Sequence, residues 1–198
     1  MRKIIFLILG LLITNLVNAI GEFITIWKTD NMTGAVTSTT QVAFPAIGSN
    51  YSVYWEDVAN PAINGTITGL TSTYQNPAIL TFPAASTYKL VVSSGQITGF
   101  SSMPATPDKY DEEKLLSLEQ WGTTNWTTLD AAFAHYKNFN YNATDIPNLS
   151  NVTNLSYMFW DTPLFTGNTT INSWDVSTIT NMSWMFANAT LFNQPLSD

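Results

Sequence analysis

Trp174-Asp175-Val176-Ser177-Thr178-Ile179-Thr180-Asn181-Met182-Ser183-Trp184-Met185-Phe186 decides the fold, because part of it has been used before in the same chain. Its segment from Thr178 to Phe186 aligns without a gap on Asn151-Val152-Thr153-Asn154-Leu155-Ser156-Tyr157-Met158-Phe159. An older copy, Asn125-Trp126-Thr127-Thr128-Leu129-Asp130-Ala131-Ala132-Phe133, keeps the apolar positions and has lost most identities. The phenylalanines recur after 26 and then 27 residues, and Leu164-Phe165 returns as Leu191-Phe192 after the same 27. Twelve residues before each phenylalanine stands a landmark, Trp121, Pro147 and Trp174 in turn.

A period in the twenties is that of a leucine-rich-repeat-like solenoid, in which each turn of chain buries its apolar side only against its neighbours. Val152 and Ile179 are expected in short strands. Leu155, Met158 and Phe159, like Met182, Met185 and Phe186, follow at i, i+3, i+4, which predicts one short helical turn packed on the stack. Asn154 and Asn181 are placed to cap that turn or to bond the next coil's backbone. The repeats are expected over residues 114–198.

Upstream, Phe23 to Ser102 reads as short strands with turn residues between them. Phe23-Ile24-Thr25-Ile26-Trp27 and Val42-Ala43-Phe44 are β-branched and aromatic, and Tyr51, Val53 and Trp55 share one face at strand period. Ile63 to Ile67, Ile79 to Phe82 and Tyr88 to Val92 add further strands, which predicts a small antiparallel β-sandwich over residues 20–103. Pro104 and Pro107 mark a linker, 104–113, that acts as a hinge. Asp108, Asp111, Glu112 and Glu113 form an acidic cluster. Asp111 to Glu113 are expected to open a short helix running into Leu115 and Leu116, and an acid–base pair or cation site is the competing reading. The predicted fold class is therefore β-rich and multi-part: a PKD/Ig-like sandwich, then a solenoid of short strands and short helical turns.

The extreme N-terminus has its own signature. Arg2 and Lys3 precede an apolar run from Ile4 to Ile13 and a Val17-Asn18-Ala19 ending, the pattern of a secretory signal peptide over residues 1–19. The run is too short for a spanning helix, which needs about 20 apolar residues. Cleavage after Ala19 leaves 5 basic residues against 14 acidic ones, a balance of −9. Such a charge repels nucleic-acid phosphates and anionic membrane surfaces, so neither is an expected partner. The absence of cysteine excludes disulfides, zinc–cysteine sites and a thiol nucleophile, and the single histidine, His135, makes a serine triad or a multi-histidine metal site difficult.

Two resemblances follow from these segments. Tyr51-Ser52-Val53-Tyr54-Trp55-Glu56-Asp57, followed by Ser86-Thr87-Tyr88-Lys89-Leu90-Val91-Val92, resembles a degenerate PKD-like domain, with Glu56, Val58 and Ser86 where that family has glycine. Trp174 to Phe186, then Phe192-Asn193-Gln194-Pro195-Leu196, resembles the BspA-like leucine-rich repeat surface protein family, whose repeat reads W-D-V-S-x-V-T-x-M-S-x-M-F, then F-N-Q-x-L. Lys114 to Gly122 is similar to the stretch that enters those repeats, and a preceding β-sandwich is common there. The resemblance implies a secreted or cell-surface bacterial protein associated with adhesion. It also implies a next repeat beyond Ser197-Asp198, so a missing C-terminal region of the same polypeptide is expected as a neighbour of the last coil.

Chemistry-bearing residues are few. Glu56 and Asp57 sit at a strand end, where a solvated turn competes with a calcium site that would need six to eight oxygens. Glu22 and Glu119 have no evident partner, and His135 beside Phe133 and Tyr136 reads as a surface or packing residue. Trp121 and Trp174 hold a repeat position and read as structural, whereas Trp126, Trp160 and Trp184 are less constrained and are the candidate ligand-binding residues. Of eleven N-x-S/T sequons, several fall inside the repeat and are read as its by-product. No catalytic, cofactor-binding or metal-binding residue is assigned. The expectation is a secreted, non-enzymatic adhesion or binding module for a host or matrix protein or polysaccharide. Two alternatives stand beside it: a carbohydrate-binding accessory region of a larger secreted hydrolase, and a purely structural stalk.

Overall fold

The structure is a computed structural model that describes residues 21–102, 111 and 113–196. The expected signal peptide, most of the expected linker with Asp108 and Glu112, and Ser197-Asp198 lie outside the described residues. The described chain is β-rich, with one short 3-10 turn at Thr169–Ser173 as its only helical element.

Nine strands form in chain order: β1 (Phe23–Lys28), β2 (Gln41–Phe44), β3 (Ala46–Asp57), β4 (Asn64–Ser72), β5 (Ala78–Thr81), β6 (Thr87–Val92), β7 (Gly99–Phe100), β8 (Leu115–Gln120) and β9 (Asn140–Tyr141). All six stretches read as strands upstream of residue 93 are strands. The main sheet runs β4-β3-β6-β1-β8-β9, with β7 pairing β3, and β2–β5 forms a separate antiparallel pair. Period-two alternation puts Tyr51 and Val53 of β3, Tyr88, Leu90 and Val92 of β6, and Trp27 of β1 into the core, where Val42, Phe44 and Leu80 of the small pair also lie. Trp27 meets Phe44 edge-on at 6.0 Å.

Strand β8 corrects the helix expected after the acidic cluster. Leu115 and Leu118 are fully buried, and β8 pairs antiparallel with β1, so the chain that leads into the repeats is also a strand of the upstream sheet. Asp111 is not a helix-opening residue. Its buried carboxylate accepts N–H bonds from Val36 (3.0 Å), Thr37 (3.1 Å) and Ala43 (2.7 Å) and the Thr37 hydroxyl at 2.8 Å. Lys114, equally buried, lies 3.6 Å from Asp111 and donates to the Thr37 hydroxyl (2.7 Å) and to the carbonyls of Ser38 (2.8 Å) and Gln41 (2.9 Å). Burial pushes the Lys114 ammonium below the ordinary lysine value, against the pull of Asp111.

The repeats stack in register, but not through helical turns. In every copy the residue two before the phenylalanine and the residue two after it have positive φ: Ala131 and His135, Tyr157 and Asp161, Trp184 and Asn188. Left-handed residues at these intervals turn every second N–H group outward along the stack, whereas a helix would satisfy them internally. Ala131, Phe133 and His135 donate to the carbonyls of Ser156, Met158 and Trp160 at 2.8–2.9 Å. Leu155, Tyr157, Phe159 and Asp161 donate to those of Asn181, Ser183, Met185 and Ala187, again at 2.8–2.9 Å. The expected capping by Asn154 and Asn181 is present on these turns: their side chains accept from the N–H of Ser156 (2.9 Å) and Ser183 (3.0 Å).

Inside the stack, Phe133, Phe159 and Phe186 lie face over face at 5.7 Å per step. Phe139, Phe165 and Phe192 form a parallel ladder at 5.9 and 5.3 Å. Full burial of such a ring is worth about 1.5–3 kcal/mol. The first copy is covered by residues 98–102: Thr127 donates to Thr98 (2.8 Å), Phe100 to Thr128 (3.2 Å) and Ser102 to Ala131 (3.0 Å). Gly99 permits this approach, since a Cβ there would lie 2.7 Å from Thr128 Cγ2. One contiguous apolar cluster runs from Phe23 to Ala189.

Candidate functional site: an outward aromatic row on the stacked coils

Of the three tryptophans expected to meet a ligand, Trp126 is corrected by its position. It is 0% exposed, packed edge-on against Phe23 at 5.1 Å and Trp121 at 5.7 Å, in the core shared by β1 and the first copy. No ligand reaches it there. Trp121 and Trp174 are also buried, 5.8 Å apart, and the Trp121 indole donates to the Tyr141 hydroxyl at 2.7 Å.

Trp160 and Trp184 are different. Trp184 is 63% exposed, the largest exposure of any large apolar side chain among the described residues. Its ring lies parallel to that of Tyr157, with centroids 6.4 Å apart and 7° between planes. Trp160 is half-buried and meets Tyr157 edge-on at 5.4 Å and His135 at 4.3 Å. The structure therefore brings two of the three expected tryptophans into one region and adds Tyr157, which sequence reasoning did not single out. The signal was available: the gapless alignment sets Tyr157 opposite Trp184.

Two rows of repeat positions build this face. The first is Ala131, Tyr157, Trp184, in which Ala131 is buried beneath residues 98–102 and the two rings face outward; the second is His135, Asp161, Asn188. In the second row His135 Nδ1 lies 3.1 Å from Asp161 Oδ2, and Lys137 pairs with the same carboxylate oxygen. Burial opposes ionisation of Asp161, but the hydrogen bonds and charges of Lys137 and His135 outweigh it and hold its carboxyl below the ordinary aspartate value. Charge is thus balanced beside the rings.

Other candidates are occupied. Glu56 accepts from Tyr54 (3.0 Å) and pairs with Lys89 (3.2 Å), while Asp57 accepts the N–H groups of Ala59 and Asn60, each at 2.8 Å, as in a turn. An open groove of about 900 Å³ between the main sheet and the coils is lined by Ile24, Lys89, Glu119, Gly122, Asn142 and Asp145. Its carboxylates are engaged: Asp145 takes the N–H groups of Trp121 and Gly122, and Glu119 takes the Asn142 amide. Glu22, without a partner in the sequence, has its carboxyl raised by burial, with Lys89 opposing.

The family model described as "Mycoplasma protein of unknown function, DUF285" matches residues 98–198. The chain belongs to the DUF285 family. The match opens at Thr98, the first residue of the segment that covers copy one, and takes in all three copies and the whole outward face. The DUF285 unit of this chain is thus the coil stack together with its cover. The family is one often found in BspA-like surface repeat proteins. No curated protein and no solved structure matches the chain. Among the described residues no helix is long and apolar enough to cross a membrane.

Proposed function

We propose that this protein is a secreted or cell-surface recognition module of the BspA-like kind, a PKD-like sandwich followed by a leucine-rich-repeat-like solenoid, that binds a host or matrix protein or polysaccharide without performing chemistry. The observation that carries the reading is the in-register stack. Because each coil bonds the next at equivalent positions, the same outward positions recur along a rigid support. A support of this kind gives modest contacts avidity when a polymeric ligand engages several of them together.

The DUF285 match adds support through its association with surface repeat proteins. Export follows from residues 1–19, and the mature chain then starts at Ile20. The test is binding of the purified mature protein to immobilised matrix proteins and to an array of polysaccharides, with N-terminal sequencing of exported material. Saturable binding to at least one ligand and an Ile20 start are expected. Failure to bind any of them at high concentration favours the structural stalk, and retention of Met1 removes the case for export.

A further inference from the structure

We propose that Tyr157 and Trp184 are a stacking platform for a neutral glycan, an inference that rests on the recognition role above and assigns its ligand class and site. The two rows require the same left-handed backbone, yet they are filled by opposite kinds of residue. The second row holds His135, Asp161 and Asn188, at φ of 65°, 58° and 61°. His, Asp and Asn are the non-glycine types that tolerate this region best. The first row holds Ala131, Tyr157 and Trp184, at φ of 50°, 58° and 62°. A bulky side chain in this region is a strained outlier.

Folding alone does not explain the rings. Ala131, buried beneath residues 98–102, holds the same backbone conformation without a ring. The Tyr157–Trp184 stack recovers less than the strain accumulated at the two positions. Trp184 contributes little to the core, since 63% of it stays in contact with solvent. Backbone strain of this sort persists where a side chain is needed for something other than stability. What the two positions deliver is a pair of parallel rings, with Trp160 set edge-on against Tyr157.

The chemistry that fits is a pyranose ring, whose axial C–H groups are weakly positive and rest on the negative π face. Hydroxyl groups around such a ring need donors and acceptors at the rim, and the next row supplies His135 and Asp161, with Lys137 paired to the same Asp161 oxygen. The Asp161 charge is matched by Lys137, and the chain from Ile20 onward carries a net −9. That balance repels sulfated or uronate polymers and points to an uncharged glycan.

The test pairs affinity with stability in full-length mature protein and in Trp184→Gly and Tyr157→Gly. Isothermal titration calorimetry is run with a panel of soluble neutral hexose and N-acetylhexosamine oligosaccharides, with heparin as the polyanion. Wild type is expected to bind at least one neutral oligosaccharide, and each variant to lose about tenfold or more, while Tm stays level or rises because glycine relieves the strain. A fall in Tm of several degrees in both variants makes the rings structural and overturns the proposal. Neutral-glycan binding that survives both substitutions places the site elsewhere and overturns it too. Binding to heparin or to matrix proteins alone overturns the ligand class while leaving the recognition role standing; binding to nothing sinks both.

Discussion

Lys114 and Asp111 show how much a single residue carries in this chain. The Asp111 carboxylate collects three backbone N–H groups from β2 and the segment before it, some seventy residues upstream, and Lys114 gathers carbonyls of the same stretch. Removing a partner from a buried, fully bonded pair costs about 3–5 kcal/mol. Asp111→Ala is expected to lose that much in urea unfolding. Lys114→Met is expected to lose less, since the three N–H groups keep their acceptor. None of this was legible, because an Asp-Glu-Glu-Lys run reads as a solvated helix start. Asp161 carries a pH dependence. Its folded pKa lies below the unfolded value of about 3.9, so its contribution is complete above that pH and is lost as pH falls through the folded pKa. Stability of wild type relative to Asp161→Asn is therefore expected to be level from neutrality down to about pH 4 and to shrink below it. An equal difference at pH 3 and pH 7 removes the ion-pair account.

At the scale of elements, the upstream strands were legible and the coil turns were not, for one physical reason. Period-two burial belongs to strands alone, so Tyr51, Val53 and Trp55 announce β3. The i, i+3, i+4 spacing of Leu155, Met158 and Phe159 is shared by a helical turn and by a turn closed through left-handed residues, since both bring those side chains to one side. The second solution wins because it directs the N–H groups of Leu155, Tyr157, Phe159 and Asp161 into the next coil. Nothing in the identity of Tyr157 or Trp184 predicts positive φ; only their shared place in the alignment does. A consequence is measurable by amide hydrogen exchange. The N–H groups of Leu155, Tyr157, Phe159 and Asp161 are expected to exchange much more slowly than those of Asn151 and Thr153 on the same coil, which have no acceptor among the described residues. Equal exchange in the two sets contradicts the one-way bonding pattern.

For the whole molecule, the question is whether the upstream sheet and the coil stack behave as separate bodies. Pro104 and Pro107 read as a hinge, because sequence shows local composition and not the pairing of β8 with β1 across some ninety residues. Three features couple the halves: β8 lies in the upstream sheet, Trp121 and Trp126 pack on Phe23, and residues 98–102 bond the first coil. Gly122 tightens the joint further, with positive φ and no room for a Cβ, which would lie 2.4 Å from the Gly21 carbonyl oxygen. A core continuous across the joint predicts one cooperative transition, with near-ultraviolet and far-ultraviolet circular dichroism melting at the same midpoint. Gly99→Val is the sharper experiment. The added side chain is driven against Thr128, so the overpacking is expected to cost about 1–3 kcal/mol and lower that midpoint by several degrees. If the halves share one core, the midpoint moves but stays single, since the stack cannot unfold without exposing Phe23 and the upstream sheet. If they are independent bodies, the variant splits the curve, leaving a late transition at the wild-type temperature that belongs to the sheet alone.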